Sequence, residues 1–180
     1  MMKILINAFH PDLARSRVQR AWLQTLAAAP GLTPNIVQQQ YPDGRLDRGR
    51  EQALLESHER IVFMFPLYWY SVPPLMKAWM DEVLQYGWAY GPGVDRLQGK
   101  EWLSVISTGG AAEGYQAGGF NEYSLSELLR PLQRSAAMLG MRYLAPQVEY
   151  AARRLDEAGL AASGQRLLAR LQAPAEIVMD

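Results

Sequence analysis

Three short stretches carry residue types that can do chemistry. The first is Pro66, Leu67, Tyr68, Trp69 and Tyr70, three large rings in a row directly after an apolar run. On an extended segment successive side chains point to opposite sides, so three neighbouring rings cannot all enter one core. At least one must line a pocket or an interface. The second is Ser107, Thr108, Gly109 and Gly110, small residues whose N–H groups a ligand can approach closely. A plain turn is the competing reading. The third, residues 10–19, brings His10, Arg15, Ser16, Arg17, Val18 and Gln19 to a helix start. Free N–H groups and partial positive charge there favour a phosphate. A capped helix start with solvated arginines is the competing reading. Neither a Walker loop nor GxGxxG is present.

These stretches need elements to position them. Residues 4–9 read as a continuous apolar strand of the kind covered on both faces in a parallel sheet. The pattern predicts a helix over 15–29, ended by Pro30 and Gly31, and a more polar second strand over 33–40, nearer an edge. Tyr41 to Gly44 is turn chemistry. A short helix is expected over 48–58 with Ala53, Leu54 and Leu55 inward, then a third strand over 60–65. Pro73 and Pro74 open a helix ended by Gly87, with Leu75, Met76, Trp79, Met80, Val83 and Leu84 inward. A fourth strand follows over 101–107. A helix over 124–139 carries Leu125, Leu128, Leu129, Leu132 and Met138, with Pro131 as a kink or a boundary. A fifth strand begins over 141–145 and can resume at 148–150 after Pro146. The last helix covers 156–172, before a short tail over 173–180. Strand and helix alternate throughout. The expected fold is therefore α/β, a five-stranded parallel sheet of order 2-1-3-4-5 with helices on both faces, in one domain over 1–180. In such sheets ligands bind beyond the carboxyl ends of the strands, near the point where strand order reverses. All three stretches fall there.

Composition narrows the functions. The chain has 180 residues, 49% of them hydrophobic and 20% charged, with formal net charge zero. A balanced charge gives no electrostatic reason to expect nucleic acid as the main partner. With no cysteine, disulfides, thiolate catalysis and zinc-thiolate sites are excluded, and two histidines disfavour a histidine-rich metal site. The N-terminal apolar run is short for a signal peptide and no run is long enough to span a bilayer, so the expected location is cytoplasmic.

Rings beside a small-residue turn and a phosphate site suit a flavin. Backbone amides at Leu67 to Trp69 would meet the polar edge of the isoalloxazine, with Tyr68, Trp69 and Tyr70 as walls. Amides at Ser107 to Gly110 would stabilise negative charge on the reduced ring. With these residues in hand, the chain resembles the flavodoxin-like NAD(P)H:quinone oxidoreductases. Within them it looks most like the ancillary proteins of glutathione-gated potassium efflux systems. The resemblance is most specific over 66–77, 87–93 with 97–100, and 107–110, and extends to 129–132 and 140–141.

The resemblance implies roles residue by residue. His10 and Ser16 to Gln19 would contact the phosphate side of the flavin. Pro66 to Tyr70 would hold the isoalloxazine, and Ser107 to Gly110 its pyrimidine edge. Tyr115 matches a tyrosine that assists charge handling during hydride transfer. Trp88 and Tyr90 match aromatic positions that line the substrate pocket from the other subunit of a homodimer. Two positions depart from the family pattern. Gln19 stands where asparagine is usual. Asn121 stands where quinone reductases have a histidine, and an amide cannot carry a proton's charge at neutral pH.

The implied activity is ping-pong: NAD(P)H reduces the flavin, leaves, and a quinone or similar flat acceptor takes its place. Azo or nitro compounds are variants of that acceptor. FMN is the expected cofactor because the chain is short, with FAD the alternative. The competing reading is a regulatory subunit at the inner membrane, docking on a potassium/proton antiporter through groups such as Arg45, Arg48, Arg50, Arg153 and Arg154. An electron-transfer flavodoxin ranks last, because those are usually strongly acidic.

Overall fold

The computed structural model describes residues 2–27 and 29–175. Its elements are β1 (Ile4–Ala8), α1 (Arg17–Leu26), β2 (Leu32–Ile36), α2 (Val37–Gln40), α3 (Arg48–Glu56), β3 (Arg60–Pro66), α4 (Pro74–Val83) and β4 (Glu101–Ser107). They continue with α5 (Leu125–Leu128), α6 (Arg130–Met138), β5 (Arg142–Tyr143), β6 (Gln147–Glu149) and α7 (Glu157–Gln172). The sheet is parallel in the order β2-β1-β3-β4-β5, with β6 also paired to β4. The expected α/β order is the observed one.

Every residue of β1, β3 and β4 is buried, as expected of mainly apolar central parallel strands, with Asn7, Arg60, Glu101, Ser104 and Ser107 as buried polar exceptions. Alternation sorts their side chains between two cores. Ile4, Ile6, Val62, Met64, Leu103 and Val105 pack with Trp22 and Leu26 of α1 and Leu160 and Leu167 of α7. Leu5, Ile61, Phe63, Trp102 and Ile106 pack on the other face with Leu55, Met76, Trp79, Leu125 and Leu132. Phe63 stacks on Trp102 with ring centroids 3.9 Å apart. α1 and α7 approach closely because Gly164 has no side chain: a Cβ there would lie 2.4 Å from Thr25 Oγ1. Beside it, Trp22 Nε1 donates to Ser163 Oγ at 2.7 Å.

Several boundaries differ from the sequence pattern. The second strand stops at Ile36, and residues 37–40 turn into helix α2 rather than extending. Its edge position holds, and Pro34 sits there exposed, where a missing N–H costs nothing. The first helix starts at Arg17 after the cap Ser16, because 13–15 form a separate 3-10 turn. In α3, Ala53 faces out while Glu51 and Leu55 face in. Pro131 marks a boundary: α5 ends at Leu128, and the proline falls in the first turn of α6. Met138 is exposed rather than packed. The fifth position of the sheet is shared by β5 and β6. Pro146, with no N–H to donate, lies between them. Among the described residues no helix is long and apolar enough to cross a membrane. The last part of the expected tail, residues 176–180, lies outside the described residues.

Glu51 is the one buried carboxylate aimed at this core from α3. It accepts from Asn35 Nδ2 (2.8 Å), Tyr41 Oη (2.8 Å), Trp79 Nε1 (2.8 Å) and Arg50. Asn35 also donates to Asn7 Oδ1 at 2.9 Å. Four donors around one carboxylate satisfy it without water and tie β1, β2, α3 and α4 together.

Candidate functional site

The cavity lies at the carboxyl ends of β1, β3 and β4, and its volume is ≈ 630 Å³. His10, Asp12 and Arg15 to Val18 line it from the β1–α1 connection, Pro66 to Tyr68 from the end of β3, and Ser107 to Gly109 from the end of β4. So the three stretches meet in one concavity. Ala152 and Arg153 complete the wall. Sequence reasoning placed Arg153 only on an outer docking surface. Its position just beyond the last strand end was the available signal.

The phosphate-type end is built by α1. Ser16 Oγ accepts from Gln19 N at 3.3 Å, which caps the helix. The N–H groups of Arg17 and Val18, in the first turn, have no intrahelical acceptor and stand at the cavity wall. Gln19 itself is fully buried, and neither its amide oxygen nor its amide nitrogen has a partner. Unpaired buried amides are uncommon because each costs about 1–3 kcal/mol. This one sits one residue along the helix from the free N–H pair. His10 Nδ1 accepts the Asp12 backbone N–H at 3.1 Å, which leaves the proton on Nε2. The ring meets Tyr68 edge-on, centroids 6.3 Å apart. Burial lowers its pKa, against the charge of Asp12, which raises it. Arg17 is turned aside, donating to Leu155 O and pairing with Glu157.

The ring stretch is a tight turn. Tyr68 N donates to Ser71 O (3.0 Å) and Ser71 N to Tyr68 O (2.9 Å). Between them Trp69 and Tyr70 have φ of 48° and 61°. Both central residues are left-handed, the type I′ arrangement that normally selects Asn and Gly. The turn throws Trp69 into solvent at 93% exposure and leaves Tyr70 half-exposed, at the rim rather than in the cavity wall. One expectation changes here. The Leu67 N–H goes to Ser107 O at 2.9 Å and that of Tyr68 to Ser71, so of residues 67–69 only Trp69 can offer a free amide to a ligand.

The third wall is pinned from beneath. Thr108 N donates to Glu149 O (2.9 Å), Ala152 N to Thr108 O (2.9 Å) and Ala151 N to Gly110 O (2.8 Å). Thr108 Oγ1 donates to Gly110 O at 2.8 Å. Gly110 lies outside the cavity, under Tyr115 and Asn121. A Cβ at Gly110 would meet Tyr115 Cε2 at 3.2 Å, Tyr115 Oη at 3.4 Å and Asn121 Nδ2 at 3.5 Å. Tyr115 and Asn121 therefore stand side by side against the backbone that follows the third wall. Tyr115 also contacts Tyr150, centroids 5.7 Å apart, and lines a second cavity of ≈ 330 Å³.

Trp88 and Tyr90 are not in this site. Trp88 Nε1 donates to Glu56 Oε1 at 3.1 Å, at the carboxyl end of α3, and Lys100 reaches the Glu56 and His58 carbonyls from just before β4. These residues flank the starts of β3 and β4, the opposite end of the sheet from the cavity. Within one chain they cannot wall it. Of the arginines suggested for docking, Arg48 donates to Glu82 O, and Arg50 turns inward to Glu51, Asn35 and Tyr41.

A strand-end cavity at the switch point of a 2-1-3-4-5 parallel sheet defines a flavodoxin-like protein. The family model described as "Flavodoxin-like fold" matches residues 2–171, and the chain belongs to that family. It is 46% identical to general stress protein 14 of Bacillus subtilis, over 96% of this chain and 99% of that one. It is 44% identical to the uncharacterised NAD(P)H oxidoreductase YdeQ of the same organism, over 92% and 84%. With the glutathione-regulated potassium-efflux system ancillary protein KefG of Cronobacter sakazakii it shares 42% identity, over 91% and 89%. Among solved structures, general stress protein 14 of Treponema denticola in complex with FMN superposes with TM-score 0.88 at 35% identity, covering 94% and 97%. An NADPH-quinone reductase from P. pentosaceus superposes with TM-score 0.81 at 34% identity, covering 92% and 97%.

Proposed function

We propose that this protein is an FMN-dependent oxidoreductase that takes electrons from NAD(P)H and delivers them to a quinone or a similar flat acceptor. The observation that carries the reading is the convergence of free helix amides, a small-residue wall and a ring-bearing turn on one cavity. The donor set fits FMN: amides and cations at one end for a phosphate, and at the other the glycine wall and Trp69 amide for a polar ring edge. Gln19, expected at the phosphate side, is fully buried behind the cavity wall and outside its lining. The FMN complex of a structural neighbour and the oxidoreductase names of relatives support the assignment.

Bound FMN supplies the two-electron chemistry, in two half-reactions that share one site. The chain's own residues do the rest. The Arg17 and Val18 amides would hold the phosphate, with His10 lining the same end. Pro66 to Tyr70 and Ser107 to Gly110 would orient the ring, with exposed Trp69 and Tyr70 beside the place for a flat partner. Tyr115 and Asn121, side by side next to Gly110, would serve the reacting end, Tyr115 by steadying developing charge. Asn121 positions but takes up no proton. Trp88 and Tyr90 act from a second copy in a homodimer, since their own chain holds them at the far end of the sheet.

A visible absorption spectrum tests the core of this reading. The purified protein incubated with FMN and desalted is expected to be yellow, and to bleach with NADH or NADPH and recover with a quinone. A protein that stays colourless ends the proposal. Asn121 favours a second reading, in which the protein keeps flavin but serves a potassium-efflux antiporter, as KefG relatives are named to do. Flavin reduction without acceptor turnover, together with co-purification with such an antiporter, would select it.

A further inference from the structure

Five arginines surround the phosphate-type end, and they divide cleanly. Arg17 is held by Leu155 O and Glu157, and Arg20 donates to Ala14 O at 3.0 Å. Arg154 does not line the cavity. Arg15 and Arg153 both line it, both are exposed, and neither guanidinium has a hydrogen bond or ion pair among the described residues.

Their backbones, by contrast, are fixed. Arg15 N donates to Asp12 O (3.1 Å) within a 3-10 turn. Arg153 sits between Ala152, whose N–H is bound to Thr108 O, and Arg154, whose N–H is bound to Ala151 O at 2.8 Å. Ala151 itself is left-handed, φ 49°. Two like charges carried by separate elements thus face one concavity that also holds the Asp12 carboxylate, and together they favour an arriving anion. Two guanidiniums and about half a charge from the α1 N-terminus, set against the single carboxylate of Asp12, leave this end positive by about one and a half charges. A terminal phosphate monoester carries about −1.5 to −2 at neutral pH. A pyrophosphate carries its charge as about one per phosphorus atom and continues into a second nucleoside, which would have to pass between the two arginines.

We infer that Arg15 and Arg153 close over a terminal phosphate monoester and make the site select FMN over both FAD and riboflavin. The inference rests on the flavin reading above and goes beyond it in assigning the selection to two residues from opposite ends of the chain.

The test is flavin affinity, read by fluorescence quenching on deflavinated protein. The protein is wild type, Arg15→Ala, Arg153→Ala and Arg153→Lys, each titrated with FMN, FAD and riboflavin at low and high salt. Loss of one charge-assisted contact is expected to weaken FMN about 10- to 100-fold in either alanine variant. Riboflavin should be unchanged, so the preference for FMN should shrink by the same factor. Arg153→Lys should restore part of it, and the salt dependence of FMN binding should fall in the alanine variants. Both side chains are exposed, so thermal midpoints of the flavin-free proteins should match wild type. Three results would overturn the inference. FMN and riboflavin could weaken equally, which would mean that the arginines only shape the cavity. FMN affinity could be unchanged. Or FMN affinity could hold while the KM for NADPH alone rises, which would assign the pair to the donor. Failure of the flavin reading is separate: wild-type protein would then bind none of the three flavins.

Discussion

Replacing Trp69 by glycine should make the flavin-free protein more stable, although it removes the largest side chain of the site. Trp69 and Tyr70 occupy the two central positions of a turn that needs positive φ, and they adopt 48° and 61°. A side chain in that region costs about 1–2 kcal/mol per residue, because Cβ crowds the following carbonyl oxygen. Glycine removes the crowding but has more freedom to lose on folding, which takes back about 0.4–1 kcal/mol. Trp69 is 93% exposed, so little buried surface is lost with the ring. The balance is a gain of about 0.5–1 kcal/mol, which for a chain of this length raises Tm by about 2 °C. Trp69→Ala is the control, because it removes the ring and keeps the crowded conformation. Thermal denaturation of the two variants and wild type, all flavin-free, decides the matter. Trp69→Gly should melt above wild type and Trp69→Ala close to it. Both should bind FMN or turn over acceptor less well, since the ring and its fixed direction are lost. If Trp69→Gly melts at or below Trp69→Ala, the turn holds no strain and the reasoning fails.

Other substitutions probe the rest of the molecule. Glu51→Ala strands the donors of Asn35, Tyr41 and Trp79 in the core and should cost about 3–5 kcal/mol in urea denaturation. Gly110→Ala would press a methyl group against Tyr115 at 3.2 Å, so acceptor turnover should fall well before FMN affinity does, as steady-state kinetics on flavin-saturated protein would reveal. Asn121→His restores a group able to carry a proton beside Tyr115 and should raise quinone turnover about ten-fold or more, with a new pH dependence near neutrality. His10 has its pKa lowered in the folded state, chiefly by burial. The unfolded chain therefore binds the extra proton first, and stability of the flavin-free protein should decline as pH falls below about 6.5. His10→Gln should flatten that limb of a Tm-against-pH plot.

The sheet was legible because its central strands are buried on both faces and so are mainly apolar; β3 and β4 match their expected spans almost residue for residue. The site was legible in outline for a related reason. A parallel sheet leaves its ligand groove at the strand ends, and residues 10–18, 66–68 and 107–109 stand there in the sequence. The boundaries were less legible. Residues 37–40 have side chains that either strand or helix could use, and in the helix they form only Val37 is buried. The burial of Glu51 was not legible, because its partners come from segments up to 28 residues away.

The sequence by itself determined the fold and the three strand-end stretches, since each depends on local pattern and periodicity, and it carried the resemblance to the family. Tertiary structure decided what those stretches do with their polar groups. It consumed the Leu67 and Tyr68 amides in the chain's own hydrogen bonds and left Gln19 buried without a partner. It also pushed Trp69 and Tyr70 into left-handed backbone, and sent Trp88 and Tyr90 to the far end of the sheet. Above all it brought Arg153 across the chain to face Arg15. Hydrogen-bond partners and charge neighbours are set by distances in space, and one hundred and thirty-odd residues of sequence separation hide them.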